Sequence, residues 1–511
     1  MAANAARISG RWLSAGARGN RRLITTMYLL AMLGSDPALA QRADALGAEV
    51  LKYVRVNTPR VVLEHVRVLD GTGAPPSADR NVVLENGRIT AISAGNDTPE
   101  RAGTTVLDLR GHTVIPGIVG MHGHLWFYAR PNLKEDGKYD HPGLATEMSF
   151  SAPRLYLANG VTTMRTAGSI EPQTDLNLKQ AIERGIAPGP HLDVTGPYLD
   201  GRPSSPNLRV QVLTGPEDAR QTVAFWADHG VTSFKVYADI TRANLRAVVD
   251  EAHKRGLKVL GHLCSVTYQE AAEIGIDSLE HGFFVNTQLD PGKKPDTCSD
   301  SGGDYTLEHM TAEQANELIA TLVKHHVALT STLSNTASYV PSLNRGVQGQ
   351  PPLQAAALAA MSTDARSGYL IDLKLDPSRG LDLTKLLRRD MELERAFVAA
   401  GGLLMAGSDP VGLRGLVPGF ADHREIELLV EAGFTPAEAI HIATLNGAVF
   451  LGSQARIGSV VVGKNADLVV LRGDPSSRIA DIENVEIVFK DGVGYDTQKL
   501  LDSAQGHYGQ Y

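Results

Sequence analysis

Cysteine is almost missing from this chain, with only Cys264 and Cys298 among 511 residues. Disulfides therefore cannot be the main staple of the fold. The pair leaves two readings open: one bridge in an oxidising compartment, or a plain buried thiol at Cys264 within the apolar run from Val259 to Val266. Long apolar runs are missing too. The stretch from Leu23 to Leu33 is about a dozen residues, against the roughly 20 that a bilayer requires, and no membrane anchor is expected after Gln41. Beyond the first residues there is no block of Lys or Arg, and the formal net charge is -8, so nothing electrostatic favours nucleic acid. No Gly-rich phosphate-binding fingerprint marks a dinucleotide crevice.

What remains is an ordinary globular composition, 43% hydrophobic and 21% charged, long enough for one large core and a smaller satellite domain. Small-molecule chemistry is the expectation. Residues 1–40 stand apart. Arg18, Arg21 and Arg22 precede the Leu23 to Leu33 run, and Pro37-Ala38-Leu39-Ala40 follows it before Gln41. That is the order of a cleaved signal peptide, predicting a periplasmic or secreted protein. Arg21-Arg22-Leu23-Ile24 loosely resembles a twin-arginine signal.

Val61-Val62-Leu63 and Val82-Val83-Leu84, the latter followed by Asn86-Gly87, read as a small antiparallel sheet, because Asn-Gly between apolar runs marks a hairpin. The same pattern returns at Ala466 to Leu471 and Val485 to Phe489. These two segments, 58–115 and 453–497, are expected to form one small composite β-sandwich, with 498–511 a tail. Between them, over 116–452, strand-like runs alternate with helical ones. The strands are Gly160 to Met164, Val231 to Tyr237, Lys258 to His262, Ser278 to His281, Ala328 to Thr332 and Leu403 to Ser408; the helices are Leu245 to Arg255, Tyr268 to Ile274, Ala312 to His325 and Met391 to Ala400. This alternation predicts an α/β fold, a (β/α)8 TIM barrel with its site at the carboxyl ends of the strands.

Several of those ends carry metal-ligand chemistry. His122 and His124 sit two apart after Val114-Ile115-Pro116-Gly117-Ile118-Val119, so both imidazoles can face one side. Lys235 interrupts an apolar strand. Burial would lower its pKa and leave a neutral amine able to add carbon dioxide, giving a carbamate with two oxygens. His262 and His281 end consecutive strands one βα repeat apart. Asp409 ends the last, in Gly407-Ser408-Asp409-Pro410.

In this order, His122, His124, Lys235, His262, His281 and Asp409 resemble the metal ligands of the amidohydrolase superfamily. Gly160-Val161-Thr162-Thr163 and Gly463-Lys464-Asn465-Ala466-Asp467-Leu468 resemble its recurring phrases. The resemblance runs from 60 to 495. Leu157-Ala158-Asn159-Gly160 and Asp277-Ser278-Leu279-Glu280-His281-Gly282 make it most similar to the branch of Xaa-Pro and Xaa-Arg/Lys dipeptidases and ochratoxin-hydrolysing enzymes and, more distantly, imidazolonepropionase.

The resemblance implies two divalent metal ions, zinc by default, with manganese, cobalt or nickel compatible. His122, His124 and Asp409 would hold one ion, His262 and His281 the other, and N6-carboxylated Lys235 would bridge them. Asp409 would also serve as base and then acid. The implied reaction is cleavage of an amide bond in a dipeptide, N-acyl amino acid or ochratoxin-like amide; opening of a cyclic amide or lactone, or cleavage of an ester or carbamate, is the alternative. The expected partner is a small-molecule amide, and a homo-oligomer is expected by resemblance. Specificity is assigned to the loop from Leu125 to Phe150, carrying Trp126, Tyr128, Lys134, Lys138, Tyr139 and His141. Tyr237 and His141 are the candidate substrate contacts, for the carboxylate of a C-terminal amino acid.

Overall fold

The computed structural model describes residues 45–97, 102–140, 143–202, 208–299, 301–340, 352–376, 378 and 380–510. The signal-peptide reading and His141 lie outside these residues. Eight barrel strands follow in chain order: β1 (Ile118–Gly123), β2 (Val161–Thr166), β3 (His191–Asp193, continued by Thr195–Asp200), β4 (Ser233–Val236), β5 (Lys258–Gly261), β6 (Ser278–Glu280), β7 (Ala328–Ser331) and β8 (Leu404–Ala406). Each pairs in parallel with the next. Among the described residues no ladder joins β8 to β1; the two are linked instead by the amides of Ser408 and Asp409, which donate to His122 O at 3.3 and 2.9 Å. A Cβ at Gly407 would collide with His122 there, so only glycine permits this approach.

These strands are short and buried along nearly their whole length, as a sheet covered on both faces requires. The helices between them are fixed by local chemistry. Tyr268–Ile274 starts on a Thr267/Glu270 capping box and stops at left-handed Gly275, and Ala312–Lys324 starts on Thr311/Gln314. Leu383–Ala399 begins eight residues before the expected Met391, because the Asp382 side chain caps it by accepting the Lys385 amide.

The small domain is a nine-stranded sheet built from both flanking segments, with Leu468–Arg472 lying antiparallel to His112–Pro116. It is not wholly antiparallel: Arg60–Val68 runs parallel to Thr105–Asp108 and to His112–Pro116. Its core joins Val61, Leu63, Val82, Leu84, Val114, Leu468, Ile487 and Phe489. Asn86 and Gly87 both take positive φ, 49° and 78°, as the tight hairpin requires. Thr497–Ala504 adds a helix after the last strand. Among the described residues no helix is long and apolar enough to cross a membrane.

Candidate metal centre

The side chains singled out at the strand ends meet in one place. His122, His124, Lys235, His262, His281 and Asp409 all line a cavity of about 210 Å³ at the carboxyl end of the barrel. His122 is inside β1, and His124 is one residue beyond it. His262 and His281 each stand one residue past β5 and β6. The backbone bends sharply at two of these positions, His281 (φ 68°) and Asp409 (φ 49°), both in the left-handed region that costs a non-glycine residue energy.

Asp409 is the hub. Its Oδ1 lies 2.9 Å from His124 Nε2 and 3.5 Å from His122 Nε2, and its Oδ2 lies 4.0 Å from His281 Nδ1. Donor atoms of His122, His281 and Asp409 fall within 4.8 Å of one another, compatible with one ion. The His122 and His262 rings each have their centroid 4.6 Å from that of His281. Burial pushes the Asp409 carboxyl up, but His122 and His124 outweigh it and hold it well below the usual range. Burial also lowers His124, His262 and His281, His262 to about 3, so these imidazoles stay neutral with a lone pair free for a cation.

Lys235 is 1% exposed, and its Nζ has no hydrogen-bond partner among the described residues. Burial, reinforced by Arg165, pulls its pKa down to about 8 against the opposing charges of Glu280 and Asp409. An orphaned amine of that kind fits a site in which the lysine is modified.

Three supporting residues escaped the sequence reading. Glu280 accepts from His122 Nδ1 at 2.6 Å and from Arg165 Nη2 at 2.9 Å, with both Glu280 and Arg165 fully buried. This fixes the His122 tautomer and turns Nε2 toward the cavity. Asn335, in the Leu333–Ser338 helix after β7, donates from Nδ2 to Asp409 Oδ2 at 2.7 Å. The signal for Glu280 and Arg165 was a charge inside an otherwise uncharged buried strand. Nothing in the sequence spacing marks Asn335.

The rest of the wall is aromatic and apolar. Trp126, Tyr128, Tyr198, Tyr237, Leu208, Val411 and Leu413 line the cavity, and Tyr237 stacks obliquely on His262 with centroids 4.8 Å apart. Trp126 and Tyr128 come from the expected loop, which folds as a hairpin of Trp126–Ala129 and Leu144–Glu147. Tyr139 only supports it, through the Tyr128 hydroxyl at 2.7 Å, while Lys134 and Lys138 stand in solvent. Beside His262, Cys264 and Cys298 form a disulfide, which resolves the two readings of the thiols.

Residues 113–494 match the model of the Amidohydrolase family. An imidazolonepropionase of Symbiobacterium thermophilum is 25% identical over 417 residues, covering 79% of this chain and 86% of the relative. Among solved structures, a Xaa-Pro dipeptidase with bound methionine in its active site superposes with a TM-score of 0.63 at 20% identity, over 86% of this chain and all of that one. The A. niger ochratoxinase gives 0.58 at 18%, over 86% and 95%. At these identities the solved structures speak for the fold.

Proposed function

The chain belongs to the amidohydrolase family and is a hydrolase of carbon–nitrogen bonds, and from that premise we propose that it cleaves a dipeptide or N-acyl amino acid on a dinuclear metal centre. One observation carries this reading: six potential ligands from five strand ends line a single cavity, and the amine of Lys235 among them has no hydrogen-bond partner among the described residues. His122, His124 and Asp409 would hold one ion and His262 and His281 the other, with Lys235 between them. The uncharged Lys235 amine would add carbon dioxide and release a proton, giving a carbamate with two oxygens to offer as ligands.

Divalent cations held there would polarise the scissile carbonyl as Lewis acids and make water acidic enough to yield hydroxide near neutral pH. The chain supplies the remainder. Asp409, held by Asn335 at one oxygen, takes the proton of the attacking water and returns it to the leaving amine. Glu280 and Arg165 keep His122 oriented throughout. Tyr237 contacts the substrate from beside His262, and the face of Trp126, Tyr198, Val411 and Leu413 favours an apolar group. His141 is retained as a second contact for a terminal carboxylate. The likeness to a Xaa-Pro dipeptidase and to ochratoxinase supports an amide substrate; the likeness to imidazolonepropionase favours a cyclic amide as the second reading. Zinc is the proposed metal, and export by the leader in residues 1–40 is supported by the disulfide. A homo-oligomer is proposed from family likeness alone.

Zinc-loaded protein assayed against dipeptides, N-acyl amino acids, cyclic amides and lactones tests the substrate class. Release of a free amino acid from the first two supports the main reading, and turnover of cyclic substrates alone replaces it with the second.

A further inference from the structure

At the opposite end of the barrel, where β3 begins, His191 meets two aspartates of the small domain. Asp467 immediately precedes Leu468–Arg472, and Asp491 forms the turn between Val485–Lys490 and Val493–Asp496. One donor atom from each of the three lies within 4.8 Å of the other two. The two carboxylates come from the small domain and the imidazole from the barrel.

The polar groups here are incompletely satisfied. Asp467 Oδ1 accepts the Asp491 amide at 2.7 Å, but Oδ2 is buried with no hydrogen-bond partner among the described residues. Asp467 and Asp491 are 4% and 6% exposed. His191 Nε2 approaches Asp491 Oδ2 to 3.0 Å without hydrogen-bond alignment. Positive charge gathers on Asp491, 3.9 Å from Lys490 Nζ and within the field of Arg456, whereas Asp467 has no ion pair among the described residues. Two adjacent buried carboxylates, one of them without an ion pair, can accommodate a proton or a further cation.

We propose that His191, Asp467 and Asp491 form a separate divalent-cation site that clamps the start of β3 to the small domain. One imidazole nitrogen with two carboxylates suits zinc or a neighbouring transition metal better than magnesium or calcium, which prefer oxygen alone. The His191 side chain is 34% exposed, which leaves an entry path, whereas the aspartates form the floor. The site lies away from the hydrolytic cavity, so its role is structural, and it stands whether or not the proposed chemistry is right.

The test is zinc content of the full chain, dialysed against zinc and then against metal-free buffer, in the wild type, His191→Ala and Asp491→Asn. Both variants are expected to lose one equivalent of zinc per chain and the part of the zinc-induced rise in Tm that this equivalent supplies, while hydrolysis is retained. His124→Ala serves as the comparison, because it should lose zinc and activity together. Equal zinc content in the wild type, His191→Ala and Asp491→Asn overturns the proposal. If the wild type holds one equivalent and His191→Ala none, the clamp stands and the dinuclear reading of the cavity falls. Because His191 is partly exposed, its alanine variant is expected to fold, and zinc-edge anomalous diffraction of the wild type checks the position independently: density between the three side chains supports the site, and its absence in zinc-loaded crystals contradicts it.

Discussion

Glu280 holds Nδ1 of His122 at 2.6 Å from the position immediately before His281, so one strand end supplies both a candidate ligand and the carboxylate that orients another. Glu280→Gln keeps the shape but removes the charge shared with Arg165. It is expected to weaken metal binding by roughly 10- to 100-fold, with the fold retained, as read by metal titration beside circular dichroism. Unchanged affinity would show that His122 needs no such support.

Asn335 should matter to turnover more than to binding. Its amide fixes the Asp409 oxygen that does not face the His122 and His124 rings. Asn335→Ala is expected to lower kcat by about tenfold, the loss of one hydrogen bond of about 1.4 kcal/mol that is strongest during proton transfer, with KM and metal content near those of the wild type. A rise in KM alone would move Asn335 to substrate binding.

The barrel and the side chains that gather at its carboxyl end were legible in the sequence because each rests on a local pattern: apolar runs closing on a histidine or aspartate, and Lys235 inside one of them. β3 was not, since Pro190, Gly196 and Pro197 break its apolar run. The outline of the small sheet was legible from Asn86-Gly87 and its flanks, but not the parallel pairing of Arg60–Val68, which joins residues with no local signal. Arg165, Glu280 and Asn335 act through partners far along the chain, and sequence spacing carries no trace of such pairings. The disulfide was undecidable for the same reason: Cys264 and Cys298 are 34 residues apart, and only the fold brings their Cα atoms to 4.8 Å.

That disulfide ties the loop after His262 to residue 298. Removing it in Cys264→Ser/Cys298→Ser is expected to cost about 2–4 kcal/mol, seen as a lower Tm that added reductant no longer changes, whereas reductant lowers the Tm of the wild type. Identical melting of the two proteins would mean that the link adds nothing to stability.

Asp390 links stability to pH. Burial, opposed by the Phe283 amide and reinforced by Glu425, raises its carboxyl from the usual 3.8 to about 7. The folded state thus prefers the protonated form, and this contribution is full below about pH 4 and lost as pH rises through 7. Asp390→Asn keeps an acceptor for the Phe283 amide, now 2.8 Å away, and removes the titration. Urea denaturation should show the variant gaining stability relative to the wild type between pH 4 and 8; a constant difference across that range would contradict it.

The most direct test of the hydrolytic centre is zinc content and turnover measured on the same sample of Asp409→Asn. In the proposed mechanism Asp409 is both a ligand and the proton carrier, and an amide could still ligate but could not take the proton. Two zinc equivalents assigned to the cavity, with turnover reduced by about 10²- to 10⁴-fold, are expected. Near-normal turnover in the metal-loaded variant would contradict the assignment of Asp409 and the mechanism built on it.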